Sequence, residues 1–251
     1  MDDALLQVSL LPGVQDACDT ARKAVDRLRG HRVLRRKSTE VSTESLLRGA
    51  RASAALEGAP AHLEEVRSGK ATHPLVQGAL RISGEMGPLG ATWKTAPRQV
   101  LARLHVLAAR DAVPAERLGR PRDEGTPTPA EVAARLDILS DLLTARSTAP
   151  AIVVAAIVHG ELLALRPFGE ADGLVARAAS RLTLIDRGLD PKALVAPDVG
   201  HLEFEKEYRE TFEGYLTGSA EGVAAWIRHC AEAVAFGARD SQTLCEAIER
   251  G

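Results

Sequence analysis

The residues best suited to chemistry lie in one stretch of the chain, residues 165–177 (LRPFGEADGLVAR). Arg166 and Arg177 flank a short glycine-containing loop, and a helix is expected to begin near the end of that loop. Such a loop presents free backbone N–H groups and the positive end of the helix dipole, which together favour anions. Gly173 keeps the backbone open to a ligand. Arg166 cannot act as a general base, because a guanidinium stays protonated at any working pH.

Two histidines are the remaining candidates for a general base. His159 lies two helical turns before Arg166, and His105 lies in a helical segment. For both we favour a packed position between helices over a catalytic role. The cysteines follow no paired or metal-ligand spacing, which indicates a reducing cytoplasm and predicts neither a disulfide framework nor a zinc site. They are Cys18, Cys230 and Cys245.

The composition predicts an all-α protein. Aromatic residues make up 3% of the chain, and strand-favouring residues seldom alternate. The net charge of −2 gives no general attraction to nucleic acid or to anionic lipid, so neither is an expected partner. The basic run 29–37 either contacts phosphates or, as we favour, forms a solvated helix end. The apolar run 151–165 is interrupted by His159, Gly160 and Glu161, which predicts a buried core helix and no membrane span.

Apolar periodicity and helix-breaking residues predict the helices that position the loop. Ser42 or Thr43 is the expected N-cap of the second helix, and Asp172 is the expected N-cap of the helix after the loop. The pair Gly87-Pro88 is expected to break residues 61–95 into shorter helices and turns. The predicted longer helices cover residues 14–29, 43–56, 98–109, 130–144, 151–165, 173–187, 203–215 and 220–238.

The loop resembles the signature of Fic-domain proteins, H-P-F-x-[D/E]-G-N-G-R-x-x-R. The matching residues are Pro167, Phe168, Glu170, Gly173 and Arg177. Weaker similarities in the same order are residues 101–107 with His105, the turn Gly119–Arg122, the pair Glu207-Tyr208 and the pair Trp226-Ile227. The resemblance covers about residues 97–236. It implies an all-α, Fic-like helical core over residues 96–251, preceded by an N-terminal helical arm over residues 1–95.

The resemblance also implies a chemistry. Fic domains transfer a nucleoside monophosphate, usually AMP from ATP, to a hydroxyl group of a target protein. By this similarity Phe168 anchors the loop in the core and Arg177 binds an outer phosphate. Glu170 stands where the family holds magnesium on the phosphates, so magnesium bound with a nucleotide is the candidate cofactor.

Several positions depart from the family pattern. Arg166 replaces the catalytic histidine, Asp172 replaces the asparagine, and Leu174 replaces an arginine. Asp172 places a negative charge beside the expected phosphates. Active Fic domains also hold an extended target segment with a β-hairpin, and residues 123–127 are too few to form one. Both the base and the target-binding hairpin are therefore expected to be missing.

A second motif lies upstream of the core. Residues 53–58, with Ser53, Glu57 and Gly58, resemble the inhibitory helix [S/T]-x-x-x-E-[G/N] of many Fic proteins. In those proteins the glutamate pairs with the second arginine of the loop and blocks the outer phosphate. The corresponding pair here is Glu57 and Arg177. So short a pattern also arises by chance, but its position at a helix end before the core favours the motif.

Two functional hypotheses follow from these features. The first is a degenerate Fic-fold protein that lacks ordinary AMP transfer and acts as a binding or regulatory pseudoenzyme with a residual anion or nucleotide site. Its partner is an unidentified protein or a small anionic ligand, and a homodimer is left open. The alternative is a Fic-type enzyme that transfers nucleotides or handles another phosphate ligand without a histidine. Glu170 and Arg177 favour this alternative.

Overall fold

The computed structural model describes residues 3–250, and these residues form an all-α fold without a β-strand. Short turns join most of the helices, while a longer connector over residues 110–128 contains a 3₁₀ turn, Ala115–Arg117. The α-helices are α1 Ala4–Ser9, α2 Val14–Arg29, α3 Leu34–Leu56, α4 Leu63–Arg67, α5 Pro74–Trp93, α6 Pro97–Ala109, α7 Pro129–Thr144, α8 Ala151–Leu165, α9 Asp172–Asp186, α10 Pro197–Glu203, α11 Glu205–Leu216 and α12 Ala220–Arg250.

Helix α8 lies at the centre of the fold and is apolar on all sides because it separates two hydrophobic clusters. Val154, Val158 and Leu162 follow one another at four-residue spacing and face the first cluster. Ile152 and Ala156 face the second cluster. Most of the circumference of α8 is buried, which explains why the apolar run contains no clear amphipathic pattern.

Close approach of α8 to the last helices depends on a glycine. A Cβ atom at Gly160 would lie 2.7 Å from the ring of Tyr215 and 3.0 Å from Nε1 of Trp226. Trp226 is buried and donates its indole N–H to the backbone oxygen of Ala156 over 2.8 Å. The contact places α12 directly against α8 and satisfies the polar atom of the tryptophan.

The N-terminal helices pack onto the remainder of the fold. Val25 of α2 belongs to the same hydrophobic cluster as Trp226, and Ala54 of α3 belongs to the cluster that contains Leu162. Helix α3 contacts α5, α9, α10 and α12, and it carries residues 53–57 to the N-terminus of α9. The division of the chain at residue 95 stays a prediction.

Several predicted helix boundaries were wrong. Helix α3 begins at Leu34, so Ser42 and Thr43 lie inside it and cap nothing; its only non-helical backbone is at Lys37. Helix α5 continues through Pro88. Proline has no N–H to bond to the carbonyl of Gly84, but Gly84 and Pro88 are both exposed, so water can bond to that carbonyl. Helix α10 was not predicted, and α12 continues twelve residues beyond the expected end at Ala238.

Within residues 3–250 no helix combines the length and apolar character needed to cross a membrane. The three cysteines are unpaired and buried.

Candidate functional site

The loop between α8 and α9 reverses the chain through three residues with left-handed backbone conformations. Arg166 has φ +44° and ends α8, Gly169 has φ +85°, and Ala171 has φ +55° and precedes α9. Left-handed backbone at a residue with a β-carbon costs about 1–2 kcal/mol. Two such residues in one loop therefore require surrounding contacts that hold the loop in place.

One of these contacts is the buried ring of Phe168. It stacks on His105 of α6 with ring centroids 4.3 Å apart and an angle of 4° between the planes. Nδ1 of His105 accepts a hydrogen bond from the backbone N–H of Gly119 over 3.0 Å. Burial lowers the pKa of His105 to about 4, so the ring is neutral and can accept this bond. Phe168 is buried as expected, and His105 serves as a packed support, which agrees with the interpretation favoured from the sequence.

A second support is Arg122, the last residue of the Gly119–Arg122 turn. Its backbone N–H donates to the carbonyl of Pro167 over 2.9 Å. Its guanidinium donates to the carbonyls of Arg166 at 2.9 Å, Pro127 at 2.7 Å and Leu165 at 3.3 Å. These carbonyls include the negative end of α8, where a cation is favourable. Arg122 thus joins the loop to the connector before α7 by hydrogen bonds.

Asp172 binds two backbone N–H groups of the loop. It is the first residue of α9 instead of its N-cap, and its buried carboxylate turns back toward the loop. The carboxylate accepts hydrogen bonds from the backbone N–H groups of Phe168 at 3.0 Å and Gly169 at 2.8 Å. Burial raises the pKa of Asp172 to about 6, while the two backbone N–H groups act in the opposite direction.

The predicted contact between Glu57 and Arg177 is present. Nη2 of Arg177 lies 2.9 Å from Oε1 of Glu57, and the arginine side chain is 2% exposed. Arg177 also donates to Oγ of Ser53 at 2.7 Å and to the Ser53 carbonyl at 2.9 Å. Gly58, with φ +81°, lies just beyond Glu57 in the turn that ends α3. A Cβ atom at Gly173 would lie 1.9 Å from the Glu57 carboxylate, which therefore covers the N-terminus of α9.

Arg177 has further partners on its opposite side. Nη1 donates to Oη of Tyr208 over 3.3 Å, and Nε lies 3.8 Å from a carboxylate oxygen of Asp198. Burial alone would lower the pKa of Arg177, but Tyr208, Glu57 and Asp198 outweigh it and raise that pKa above its usual range. Asp198 was not found from the sequence, because no motif precedes it and its partner is distant along the chain.

The exposed side chains of the loop face a different direction. Arg166 and Glu170 are exposed, and Arg166 donates to the carbonyl of Gly169 over 3.2 Å. An open cleft of about 790 Å³ borders Gly169. The charged residues that line the cleft carry both signs: Arg117, Arg120, Arg122, Glu116, Asp123 and Glu124.

Leu174 and Arg181 lie on the helix after the loop, but their side chains do not point into the loop. Leu174 is buried in the first hydrophobic cluster, so its position is part of the core. Arg181 donates to the carbonyl of Val195 over 3.0 Å and lies 3.7 Å from Asp198, so it faces α10 and not the loop. His159 is fully buried and its Nε2 lies 3.0 Å from Oη of Tyr208.

Solved structures with the same fold support the Fic resemblance. The chain superimposes on a Fic family protein from Desulfovibrio desulfuricans G20 with a TM-score of 0.73 and 19% identity, over 91% of this chain and 74% of that chain. For Fic-1 from C. elegans (residues 134–508) the TM-score is 0.69 at 19% identity, over 90% and 71% of the two chains. For a Fic-domain-containing signaling protein from Bacteroides thetaiotaomicron VPI-5482 it is 0.71 at 12% identity, over 92% and 98%.

The chain therefore has the Fic fold, and the all-α class expected from its sequence is confirmed. No protein-family model matches the chain, and no curated protein matches its sequence. At these levels of identity the structural similarity establishes the fold alone.

Proposed function

We propose that this protein is a Fic-fold pseudoenzyme that does not carry out ordinary AMP transfer and acts as a binding or regulatory protein. The observation that carries the proposal is that two carboxylates of the chain already bind the loop N–H groups and Arg177. Asp172 accepts hydrogen bonds from two loop N–H groups, and Glu57 covers Gly173 while binding Arg177. The chain's own carboxylates thus take the places that phosphate oxygens would need.

The lack of a base supports the same proposal. Arg166 stands at the end of α8, its guanidinium bonds to Gly169, and it holds its proton at any working pH. His105 and His159 are buried and held by other partners, so neither replaces it. A positioned general base is typically worth about 100- to 10,000-fold in rate. The five residues 123–127 are also too few to form the β-hairpin that holds an extended target in Fic domains.

A magnesium–nucleotide complex does not fit this arrangement of side chains. Glu170 is an exposed carboxylate and suits magnesium. The phosphates themselves would meet the carboxylates of Asp172 and Glu57, and the buried Leu174 offers them no charge. We therefore derive no catalytic step through a nucleotide.

A residual site for small anions is part of the proposal. A phosphate or sulfate would have to displace Glu57 from Arg177 and compete with Asp172 for the loop N–H groups. Because the pKa of Asp172 is about 6, its negative charge is lost as the pH falls through that value. We expect small anions to bind better than ATP, more tightly at pH 5.5 than at pH 7.5, and more tightly once Glu57 is removed.

The alternative is an enzyme with altered chemistry. It rests on Arg177, which keeps the position of a phosphate-binding arginine, and on Glu170, which is free to reach a metal at the loop surface. In this hypothesis Glu57 withdraws, magnesium and a nucleotide enter, and a group other than histidine accepts the hydroxyl proton.

Labelled nucleotide transfer, measured with calorimetry of Mg–ATP binding, tests the proposal. The proteins compared are the wild type, Glu57→Ala, and the triple variant Glu57→Ala/Arg166→His/Asp172→Asn, which restores two family residues. We expect no transfer and no micromolar Mg–ATP binding for the first two, and a gain of Mg–ATP binding for the triple variant because the carboxylates are gone.

Glu170→Ala and Glu116→Ala form a matched pair of acidic controls, one in the loop and one in the cleft. Transfer by the wild type that is lost in Glu170→Ala and retained in Glu116→Ala would establish the enzymatic alternative. Micromolar Mg–ATP binding by the wild type would show that the carboxylates of Asp172 and Glu57 do not exclude the nucleotide, and this result would also contradict the proposal.

A further inference from the structure

A second polar cluster lies in the interior, apart from the loop. Its three members come from three helices: His159 from α8, His201 from α10 and Cys230 from α12. All three are buried, and one ligand atom from each lies within 4.8 Å of the others. Imidazole nitrogen and cysteine sulfur are the donors that zinc and similar borderline metals prefer. His201 lies 42 positions after His159, and Cys230 lies 29 positions after His201. No motif spacing therefore reveals the cluster in the sequence.

Each of the two imidazoles has one nitrogen held by a neighbour. Nε2 of His159 lies 3.0 Å from Oη of Tyr208, and its Nδ1 is buried without a hydrogen-bond partner. Nδ1 of His201 lies 3.0 Å from Nε2 of His229. Metal-binding histidines commonly donate their outer N–H to such a partner, which fixes the tautomer and directs the other lone pair at the metal. A buried polar atom without a partner is rare and requires an explanation.

We infer that His159, His201 and Cys230 form a binding site for one zinc ion or a similar borderline divalent metal. In this site His159 donates Nε2–H to Tyr208 and binds through Nδ1, while His201 donates Nδ1–H to His229 and binds through Nε2. Cys230 binds as the thiolate, and the proton of its S–H group passes to solvent. Tetrahedral zinc, with bonds of about 2.0–2.3 Å, sets its ligand atoms about 3.5 Å apart, so small side-chain rotations complete the geometry.

Burial affects the imidazoles and the thiol of the cluster differently. Burial lowers the pKa of His159 and His201 well below the usual value, so both rings are neutral, which is the form that binds metals. Burial raises the pKa of the Cys230 thiol, and a bound metal deprotonates a coordinating thiol outright. Cys230 remains 6% exposed and His229 7%, so the cluster is nearest to solvent along α12.

The positive charge of Arg177 is the main electrostatic obstacle to a metal ion at this cluster. Its guanidinium lies 3.3 Å from Oη of Tyr208, which in turn contacts His159. Glu57 at 2.9 Å and Asp198 at 3.8 Å offset that charge, and the Cys230 thiolate adds another negative group. A bound metal would crosslink α8, α10 and α12, three helices that are separate along the chain.

Cobalt binding to the full chain, stripped of metal by dialysis against a chelator, tests the inference directly. We expect one Co²⁺ per chain, visible d–d bands of a four-coordinate ion with three protein ligands and one water, and a near-ultraviolet charge-transfer band from the thiolate. Zn²⁺ should displace the cobalt, and saturating Zn²⁺ should raise Tm by about 5–15 °C, since a ligand that binds only the folded state stabilises it.

Cys230→Ser and Cys245→Ser form a matched pair of cysteine variants on α12. The first should lose the charge-transfer band and weaken metal binding at least about 100-fold, because even outer partners of a metal ligand contribute about 10- to 100-fold. The second should leave the band unchanged. Folded wild type without the band, or loss of the band in Cys245→Ser with retention in Cys230→Ser, would overturn the site.

Discussion

The ion pair between Glu57 and Arg177 is asymmetric, and this asymmetry gives an experiment a clear expectation. The side chain of Arg177 is 2% exposed, whereas that of Glu57 is 25% exposed. Removing the arginine leaves Arg181, at 3.7 Å, as the remaining cation beside the buried Asp198. It also removes the group that donates a hydrogen bond to the Ser53 hydroxyl. Removing the glutamate takes away one of two carboxylates near Arg177, which keeps Asp198 at 3.8 Å and its hydrogen bonds to Ser53 and Tyr208.

We therefore expect Arg177→Met to cost about 3–5 kcal/mol in the free energy of unfolding, as for a broken buried ion pair. Glu57→Ala should cost about 1–2 kcal/mol, the low end for one hydrogen bond to a charged group, because the glutamate is partly exposed. For a chain of this size these values correspond to decreases in Tm of about 6–20 °C and 2–8 °C respectively. Urea denaturation of both variants and of the wild type at pH 7.5 measures the two values.

The double variant completes the thermodynamic cycle. Once Arg177 is gone, Glu57 has lost its partner and still repels the carboxylate of Asp172, so its removal should cost almost nothing. The coupling energy should then be about 1–2 kcal/mol. Costs that simply add, or a Glu57→Ala variant as unstable as Arg177→Met, would contradict the asymmetric arrangement.

Three further expectations concern the loop and the buried titratable groups. Gly173→Ala should cost about 1–3 kcal/mol in the wild type, because its Cβ meets Glu57, and much less in the Glu57→Ala background; equal costs would contradict the contact. The pKa of Asp172 is raised on folding, to about 6, so its protonation stabilises the folded state as pH falls toward 4. Asp172→Asn should therefore lose up to about 3 kcal/mol relative to the wild type between pH 7.5 and pH 4, measured by urea denaturation. Folding lowers the pKa values of four buried histidines, which are His105, His159, His201 and His229. The unfolded chain therefore takes up protons at these histidines at a higher pH than the folded chain, and overall stability should fall as pH drops below 6.5. A rise in stability would refute the neutral state of these rings.

Much of the local structure, and one contact of the candidate site, could be predicted from the sequence. Helix α2 was predicted with its observed limits, since its apolar residues repeat at helical spacing and Gly30 follows it. The apolar run 151–165 predicted the buried helix α8 because its length and composition are local properties. The two motifs around Glu57 and Arg177 predicted their contact, which lies across 120 residues, only through the resemblance to Fic proteins.

Other features depend on neighbours that are remote along the chain. Asp172 was expected to cap α9, but the left-handed backbone at Ala171 turns its carboxylate toward the loop, where it binds Phe168 and Gly169. Helix α5 continues through Pro88 because that side of the helix faces solvent, which composition does not reveal. The cluster of His159, His201 and Cys230 exists only because α12 packs against both α8 and α10. Periodicity reports which residues are buried, whereas the partner that each buried polar group meets is determined by the packing of whole helices.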